Sequence, residues 1–170
     1  PGEGDLVADL VDALAEQSPQ LLHRLELVLV EANPGMKQRQ QARLQHQTII
    51  PMRWCSMDEL MAAPLRGLVL AHELLDALPV ERLIYDDGVL WQQLVALDNN
   101  GALVWSKGPL PPLLAEEIEQ VCERCGLVLP PLDAEPGWTT EWHTGSLGWF
   151  KQLSQALEQG VLLVVDYALE

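Results

Sequence analysis

Acidic and polar side chains follow an apolar segment in the middle of the chain, in the sequence Leu68-Val-Leu-Ala-His-Glu-Leu-Leu-Asp-Ala-Leu-Pro-Val80. The pattern predicts a buried strand over Gly67–Ala71 and then a short helical turn. On such a turn Glu73 and Asp76 point to the same side. Ligands of open α/β sheets bind beyond the carboxyl ends of the strands, so these acids and His72 form a candidate reaction site. Helix capping would explain one acid, but not the cluster.

A second candidate site combines a glycine turn with an acid at the end of a strand. Pro1-Gly2-Glu3-Gly4 precedes a helix, and glycines let a ligand approach the free N–H groups of a helix N-terminus. Glu31 ends the apolar strand Leu25–Val30, where a carboxylate can accept two hydrogen bonds from a ribose diol. Alone, the turn is weak evidence, because Val7 stands where the dinucleotide fingerprint has its third glycine. Together, the two features predict a nucleotide-type cofactor site.

The composition predicts a folded domain and limits its partners. The 170 residues are 48% hydrophobic and 21% charged, with a formal net charge of -15. This is a globular rather than a disordered composition. Basic residues cluster only on one helix face, at Lys37, Arg39 and Arg43, so nucleic acid is not an expected partner. No apolar segment has the roughly 18 residues of a membrane span, and no signal peptide is visible.

The cysteines do not predict a disulfide framework or a metal site. Three are present, at Cys55, Cys122 and Cys125, and an odd, low number suits a reducing compartment. Cys122 and Cys125 have the spacing of half a zinc site, but a second pair is missing and the two lie inside a helical pattern. We therefore expect no bound metal.

Apolar strands alternate with helices in the first part of the chain, which predicts a parallel sheet with helices on both faces. The predicted helices are Asp5–Gln17, Pro19–Arg24, Gly35–Gln47 and Met57–Ala63. The predicted strands are Leu25–Val30, Thr48–Trp54 and Gly67–Ala71. The chain begins without Met at a strand-turn-helix junction, so we expect a fragment of a longer protein that lacks at least one strand before Pro1 and more after Glu170.

The pattern changes to an antiparallel meander after the third strand. Arg82–Tyr85 and Val89–Leu97 read as a hairpin with Asp87-Gly88 in its turn, and Ala102–Ser106 follows a second turn. The remaining predicted elements are a helix over Leu113–Cys125, an irregular segment over Val128–Thr140, a helix over Ser146–Gln159 with Gly160 as its cap, and a buried strand over Val161–Val165.

Several segments together resemble the MidA-type methyltransferases, class I enzymes that use S-adenosylmethionine. The similar segments are Pro1-Gly-Glu-Gly-Asp-Leu-Val-Ala-Asp-Leu10, Ala71-His-Glu-Leu-Leu-Asp-Ala-Leu-Pro-Val80, Trp138-Thr-Thr-Glu141 with Trp149 and Leu153, and Gly160-Val-Leu-Leu-Val-Val-Asp-Tyr167. They match the family's glycine turn, its NE-DALPV motif, its GYTTE…W block and its IDYG strand. His72 departs from the family's usual Asn, and Ala168 from its usual Gly.

The resemblance implies an α/β, Rossmann-like class I methyltransferase fold. One domain over residues 1–170 would hold a mostly parallel sheet, with a substrate-side insertion of the meander and a helix at about 81–145. In mitochondrial members the methyl acceptor is an arginine of a respiratory complex I subunit. An arginine-bearing protein is therefore the implied partner, and a homodimer is a possible assembly. The implied compartment is the cytoplasm of a bacterium, or the mitochondrial matrix in a eukaryote.

The resemblance also assigns roles to residues. The implied cofactor-binding residues are Gly2, Glu3, Gly4, Glu31 and His72, with Ser56 or Asp58 near the adenine. The implied reaction-site residues are Glu73, Asp76, His72 and Glu141. The chemistry is consistent, because a guanidinium is always charged and carboxylates can hold it bidentately. They can also favour proton loss as the new bond forms. An exposed loop charge explains Glu141 equally well.

Two other classes of protein remain open. One is a non-catalytic assembly factor that keeps the fold and binds a partner through the insertion. The departures from the family motifs at His72 and Ala168 are consistent with this alternative. The other is an NAD-dependent oxidoreductase. The missing third glycine and the segment His72–Pro79 both count against it.

Overall fold

The structure, a computed structural model, describes residues 2–167 and divides into two compact units. The first unit is Pro1–Ala77 with Gly148–Glu170, and the second is Leu78–Leu147. The helices are α1 Asp5–Gln17, α2 Pro19–Leu22, α3 Pro34–Leu44, α4 Met57–Ala62, α5 Pro112–Cys125 and α6 Thr144–Ala156. The strands are β1 Leu27–Val30, β2 Met52–Cys55, β3 Leu65–His72, β4 Glu81–Asp86, β5 Val89–Leu97, β6 Leu103–Gly108, β7 Thr139–Trp142 and β8 Leu157–Val165.

The predicted α/β class is confirmed, but the parallel strands form two separate pairs. Strand β1 pairs with β2. Strand β3 pairs with β8, which lies about ninety residues further along the chain. The strands β3 and β8 were expected to be buried and are not, since Leu68 is 63% exposed and Val161 60% exposed. Within residues 2–167 neither strand has a further neighbour, so much of the pair faces solvent.

The core of the first unit comes from apolar faces of the helices that pack on the strands β1 and β2. Helix α1 buries Ala8 and Val11, and α3 buries Leu44 against Leu29 of β1. Helix α3 begins where the Asn33 side chain accepts hydrogen bonds from the first turn, with proline at the favoured first position. This packing places the start of α1 and one face of α3 beside the carboxyl end of β1.

Three predicted boundaries were wrong for local reasons. Strand β2 begins after Pro51 and not at Thr48. Proline has no N–H to donate to a neighbouring strand, so Pro51 contributes only its carbonyl, which accepts a hydrogen bond from the Leu27 N–H. Helix α6 ends at Ala156, and Gly160 lies within β8 instead of capping the helix. Strand β7 begins at Thr139, within a segment that we expected to be irregular.

Gly160 is required where β8 passes Gly67 of β3. Its φ is +156°, and a Cβ there would overlap the carbonyl oxygen of Gly67. We expect Gly160→Ala to lower the free energy of unfolding by about 3 kcal/mol or more, because the two backbones would have to separate. Gly148→Ala is the control, since its Cβ would meet nothing within 4 Å on α6. Urea unfolding measures both, and equal stability of Gly160→Ala and wild type would contradict the close approach.

The second unit is a four-stranded antiparallel sheet in the order β6-β5-β4-β7. The predicted hairpin is confirmed, with Asp87 at φ +52° and Gly88 at φ +76° in its turn, the left-handed pair that a type I′ turn needs. Leu83 is fully buried under Leu114 and Ile118 of α5. This sheet therefore has its own core.

No helix in the described range, residues 2–167, combines the length and the apolar character needed to cross a membrane.

Candidate active site

The carboxyl ends of β1 and β2 bring two predicted cofactor residues together. Val30 pairs with Cys55, and the next residues are Glu31 and Ser56. The Glu31 N–H donates to the Cys55 carbonyl at 3.4 Å. Parallel strands end at the same edge, so the sheet sets Glu31 beside the start of α4.

The side chain of Gln40 joins Glu31 to the glycine turn. Its Nε2 donates to the Gly2 carbonyl at 2.8 Å and to Glu31 Oε2 at 2.9 Å. Its Oε1 accepts from Trp54 Nε1 at 3.0 Å. Gln40 is completely buried, so this network ties the turn, the end of β1 and β2 into one local structure.

The glycine turn fits a ligand that approaches its backbone. Gly2 has φ +57°, and a Cβ there would meet nothing within 4 Å. Gly4 has φ +103° and is packed, since a Cβ would lie 3.3 Å from Cγ of Leu44. Glu3 forms an exposed ion pair with Arg39 at 3.0 Å, and such pairs contribute little to stability. The open side of the turn is thus at Gly2.

Ser56 has a structural role that the sequence interpretation did not weigh. Its Oγ accepts from the Glu59 N–H at 3.1 Å, and its own N–H donates to Glu59 Oε2 at 2.8 Å. This capping box begins α4. The Ser56 N–H holds the pKa of the Glu59 carboxyl below its ordinary value, against some desolvation. Asp58 is exposed in the first turn of α4.

The segment after β3 is held by the end of β8, and only part of it forms the predicted turn, which the Ala77 N–H closes on the Leu74 carbonyl at 3.3 Å. The Glu73 N–H donates to the Val165 carbonyl at 2.8 Å, and Asp166 Oδ2 accepts from the Leu75 N–H at 2.9 Å. Glu73 itself has φ +47°, outside the helical region. The carboxylate of Asp166 therefore supports the loop in addition to its local turn hydrogen bond.

Asp166 and Tyr167 also set the charges of the loop. Desolvation acts to raise the pKa of the Asp166 carboxyl, but N–H donors from Tyr167 and the loop outweigh it and hold that pKa below its ordinary value. The Tyr167 hydroxyl donates to Asp76 Oδ2 at 2.6 Å. This hydrogen bond to a carboxylate raises the pKa of Tyr167. The Tyr167 hydroxyl thus orients the Asp76 carboxylate.

Glu73 and His72 have side chains that are available to a ligand. Both are exposed, and neither side chain has a hydrogen-bond partner among the described residues. A non-glycine residue at positive φ costs about 1–2 kcal/mol, so the backbone of Glu73 is strained. Strain of this kind clusters at functional sites, and here it falls on the predicted reaction residue.

Glu141 is the predicted site residue that the first unit does not contain. It lies on β7 at the edge of the sheet of the second unit, 3.9 Å from Nη1 of Arg82. It is therefore on a strand next to a cation, and not on an irregular segment as expected. Ala168, where the sequence departs from the family motif, lies outside the described residues.

Removal of the Asp166 carboxylate should release the loop after β3. We expect Asp166→Ala to speed amide exchange at Leu75 and Asp76 by about tenfold or more, with little change elsewhere. Asp9→Ala on α1 is the control, because Asp9 is exposed. Folding lowers the pKa of Asp166, so its contribution is full above the unfolded pKa and is lost as the pH falls through the folded one. Unchanged exchange at both amides would refute the support role.

Gln40 and Asp166 were not identified as site residues from the sequence. Gln40 is the amide on the buried row of α3 that also contains Leu44, four residues on, and a polar residue on such a row was the available signal. Asp166 was recognised only as the end of a strand. Its donors are about ninety residues away in the chain, at Leu75 and Asp76.

Cys122 and Cys125 lie on α5 as predicted. Within residues 2–167 no group of three or more His, Cys, Asp or Glu side chains is placed to hold a metal ion.

Comparison with known proteins identifies the family. A sequence model of the family described as "Putative S-adenosyl-L-methionine-dependent methyltransferase" matches residues 1–170. The chain belongs to this family. The predicted membership of a family of S-adenosylmethionine-dependent methyltransferases is therefore confirmed, and so is S-adenosylmethionine as the family's cofactor.

Two crystal structures of proteins from Burkholderia thailandensis resemble this methyltransferase-family chain. One, of an uncharacterized protein in its native form, aligns with a TM-score of 0.75 at 25% identity over 99% of this chain. The other, bound to S-adenosyl-homocysteine, aligns with a TM-score of 0.76 at 25% identity over 98% of this chain. This chain spans only 41% and 40% of those two proteins. Among curated proteins none matches.

Proposed function

We propose that the protein transfers a methyl group from S-adenosylmethionine to an arginine side chain of a protein partner. The observation that carries the proposal is the loop after β3, where the free, strained Glu73 lies beside an Asp76 that Tyr167 and the end of β8 orient. The partner expected from the family resemblance is a subunit of a complex I-type respiratory enzyme. The expected compartment is the bacterial cytoplasm or the mitochondrial matrix.

In this proposal the carboxyl ends of β1 and β2 bind the cofactor. Glu31 accepts the ribose hydroxyls, and the open backbone at Gly2 faces the methionine part of the cofactor. Ser56 or Asp58, at the start of α4, would lie near the adenine. Glu3, Gly4 and His72 complete the assigned set. Support comes from the Glu31–Ser56 juxtaposition and from the open space at Gly2.

Carboxylates of this chain would bind the methyl acceptor, the guanidinium group, and take up the proton that it loses. S-adenosylmethionine, when bound, supplies an activated methyl group on a sulfonium. Glu73 would hold the guanidinium and aim one of its nitrogens, because carboxylates bind this group bidentately. As the N–CH3 bond forms, the S–CH3 bond of the sulfonium would break, with its electron pair left on the sulfur of the departing S-adenosylhomocysteine. The guanidinium nitrogen loses a proton in the same transfer, which Glu73 or Asp76 would accept. Glu141 would be a further acidic group on the substrate side.

The experiment that tests the proposal combines transfer with product identification. The intact protein is incubated with methyl-labelled S-adenosylmethionine and a soluble extract from its source, and the labelled protein is hydrolysed to amino acids. Label in methylarginine supports the proposal. Label only in another amino acid would retain methyl transfer and refute the arginine acceptor.

An assembly factor without catalysis is the second candidate, and one observation favours it. The sheet face of the second unit opposite α5 exposes apolar side chains at Val95, Leu97, Leu103 and Trp105. Exposed apolar patches mark interaction surfaces. Binding of S-adenosylmethionine without transfer to any protein would favour this candidate over the enzyme.

A further inference from the structure

We propose that Gln40 is a positioning residue of the cofactor site, whose side-chain amide fixes the glycine turn and the Glu31 carboxylate in one arrangement. The inference rests on the proposed function, since the site it serves is the proposed S-adenosylmethionine site. Gln40 does not touch the cofactor in this account and acts through Glu31 and Gly2.

The amide of Gln40 has only one orientation that its surroundings accept. Both Nε2 hydrogens are used, by the Gly2 carbonyl and by Glu31 Oε2, and Oε1 accepts from the Trp54 indole. A flipped amide would set its oxygen against two acceptors and its NH2 against a donor. The bonds made by Gln40 therefore define the direction of its amide and of the groups it holds.

The hydrogen bonds that Glu31 accepts from the protein leave acceptor sites on its carboxylate free for the two hydroxyls of a diol. Oε1 accepts from the Asn33 N–H at 2.9 Å, and Oε2 accepts from Gln40 at 2.9 Å. A carboxylate oxygen has about two acceptor sites, so each oxygen of Glu31 keeps one free. The two protein donors thus fix the plane of the carboxylate and leave one free acceptor site on each oxygen for a pair of vicinal hydroxyls.

Burial supports a positioning role over simple packing. Gln40 is completely buried on the same side of α3 as Leu44, which packs in the apolar core. An apolar residue at position 40 would fill this space without the cost of desolvating an amide. The Gln40 amide instead has all its hydrogen bonds satisfied, and they join three segments: the glycine turn, the end of β1 and strand β2.

The test measures S-adenosylhomocysteine binding to the intact protein by calorimetry, with thermal unfolding alongside. Gln40→Met keeps the length of the side chain and removes its hydrogen bonds. We expect it to weaken binding by about tenfold or more. Gln41→Met is the matched control, because Gln41 is the exposed neighbour on the same helix, and its affinity should stay unchanged.

A double-mutant cycle separates positioning from folding. In a Glu31→Ala background, Gln40→Met should weaken binding by less than about threefold, since the part of its effect that passes through Glu31 is already lost and only the part that passes through Gly2 remains. Trp54→Phe covers the case in which Gln40→Met does not fold. It removes the indole N–H that fixes the amide, and we expect about a threefold weakening.

Each outcome decides the proposal. Weaker binding in Gln40→Met supports the proposal if the effect becomes smaller when Glu31 is also replaced. Weaker binding in Trp54→Phe supports it as well. Wild-type affinity in Gln40→Met with a lowered unfolding temperature makes Gln40 structural and overturns the inference while the proposed function stands. Wild-type protein that binds no S-adenosylhomocysteine overturns the proposed function and this inference with it.

Discussion

Replacement of Glu73 by glutamine is expected to lower the rate of methyl transfer about a hundredfold to ten-thousandfold, the range of a lost general base. The glutamine side chain would keep the shape of the glutamate and remove the charge that holds the guanidinium and accepts its proton. Affinity for S-adenosylmethionine should change little, because Glu73 lies in the loop after β3 and not at the ends of β1 and β2. Single-turnover transfer and calorimetry measure the two effects.

Stability provides a second readout at the same position. Glu73 has φ +47°, so Glu73→Gly should relieve strain and raise the free energy of unfolding by about 1 kcal/mol while transfer is still lost. Glu16→Gln, at an exposed position on α1, serves as the charge control. Equal transfer rates in wild type and Glu73→Gln would remove Glu73 from the reaction.

Replacement of Glu31 by alanine should weaken S-adenosylmethionine binding by about a hundredfold or more. The change removes the acceptor for the ribose hydroxyls and leaves the Asn33 N–H and one N–H of the buried Gln40 amide without their Glu31 partner. Calorimetric titration measures the affinity.

The control for this prediction lies at the other end of the same strand segment. Glu26 precedes β1 and pairs with Arg53 at 3.0 Å in an exposed position, where ion pairs contribute little. Glu26→Ala should bind the cofactor as wild type does. Loss of affinity in both variants would point to general destabilisation of β1 instead of a ribose contact.

Local sequence patterns predicted most of the elements of this fold. The bounds of α1 and the Asp87-Gly88 turn are determined by neighbours in the chain, and both are found as expected. The pairing of β3 with β8 depends on partners about ninety residues apart. Periodicity along the chain does not contain that information, so the sequence predicted the strands but not which of them pair.

The site shows the same division between local and long-range determinants. Strand ends with acids at Glu31 and Glu73 could be read from the sequence, because a polar residue after an apolar strand is a local signal. The supports of these acids, Gln40 and Asp166, come from other segments and act through hydrogen bonds. Spacing predicted the turn that carries Asp76, but not the left-handed backbone of Glu73 or the support by the Asp166 carboxylate.

The most direct test of the account is a calorimetric titration of the intact protein with S-adenosylmethionine, with NAD as the control ligand. We expect micromolar binding of S-adenosylmethionine, which Glu31→Ala weakens, and no binding of NAD. Binding of NAD in preference to S-adenosylmethionine, or S-adenosylmethionine binding that Glu31→Ala leaves unchanged, would contradict the assignment of the site at the ends of β1 and β2.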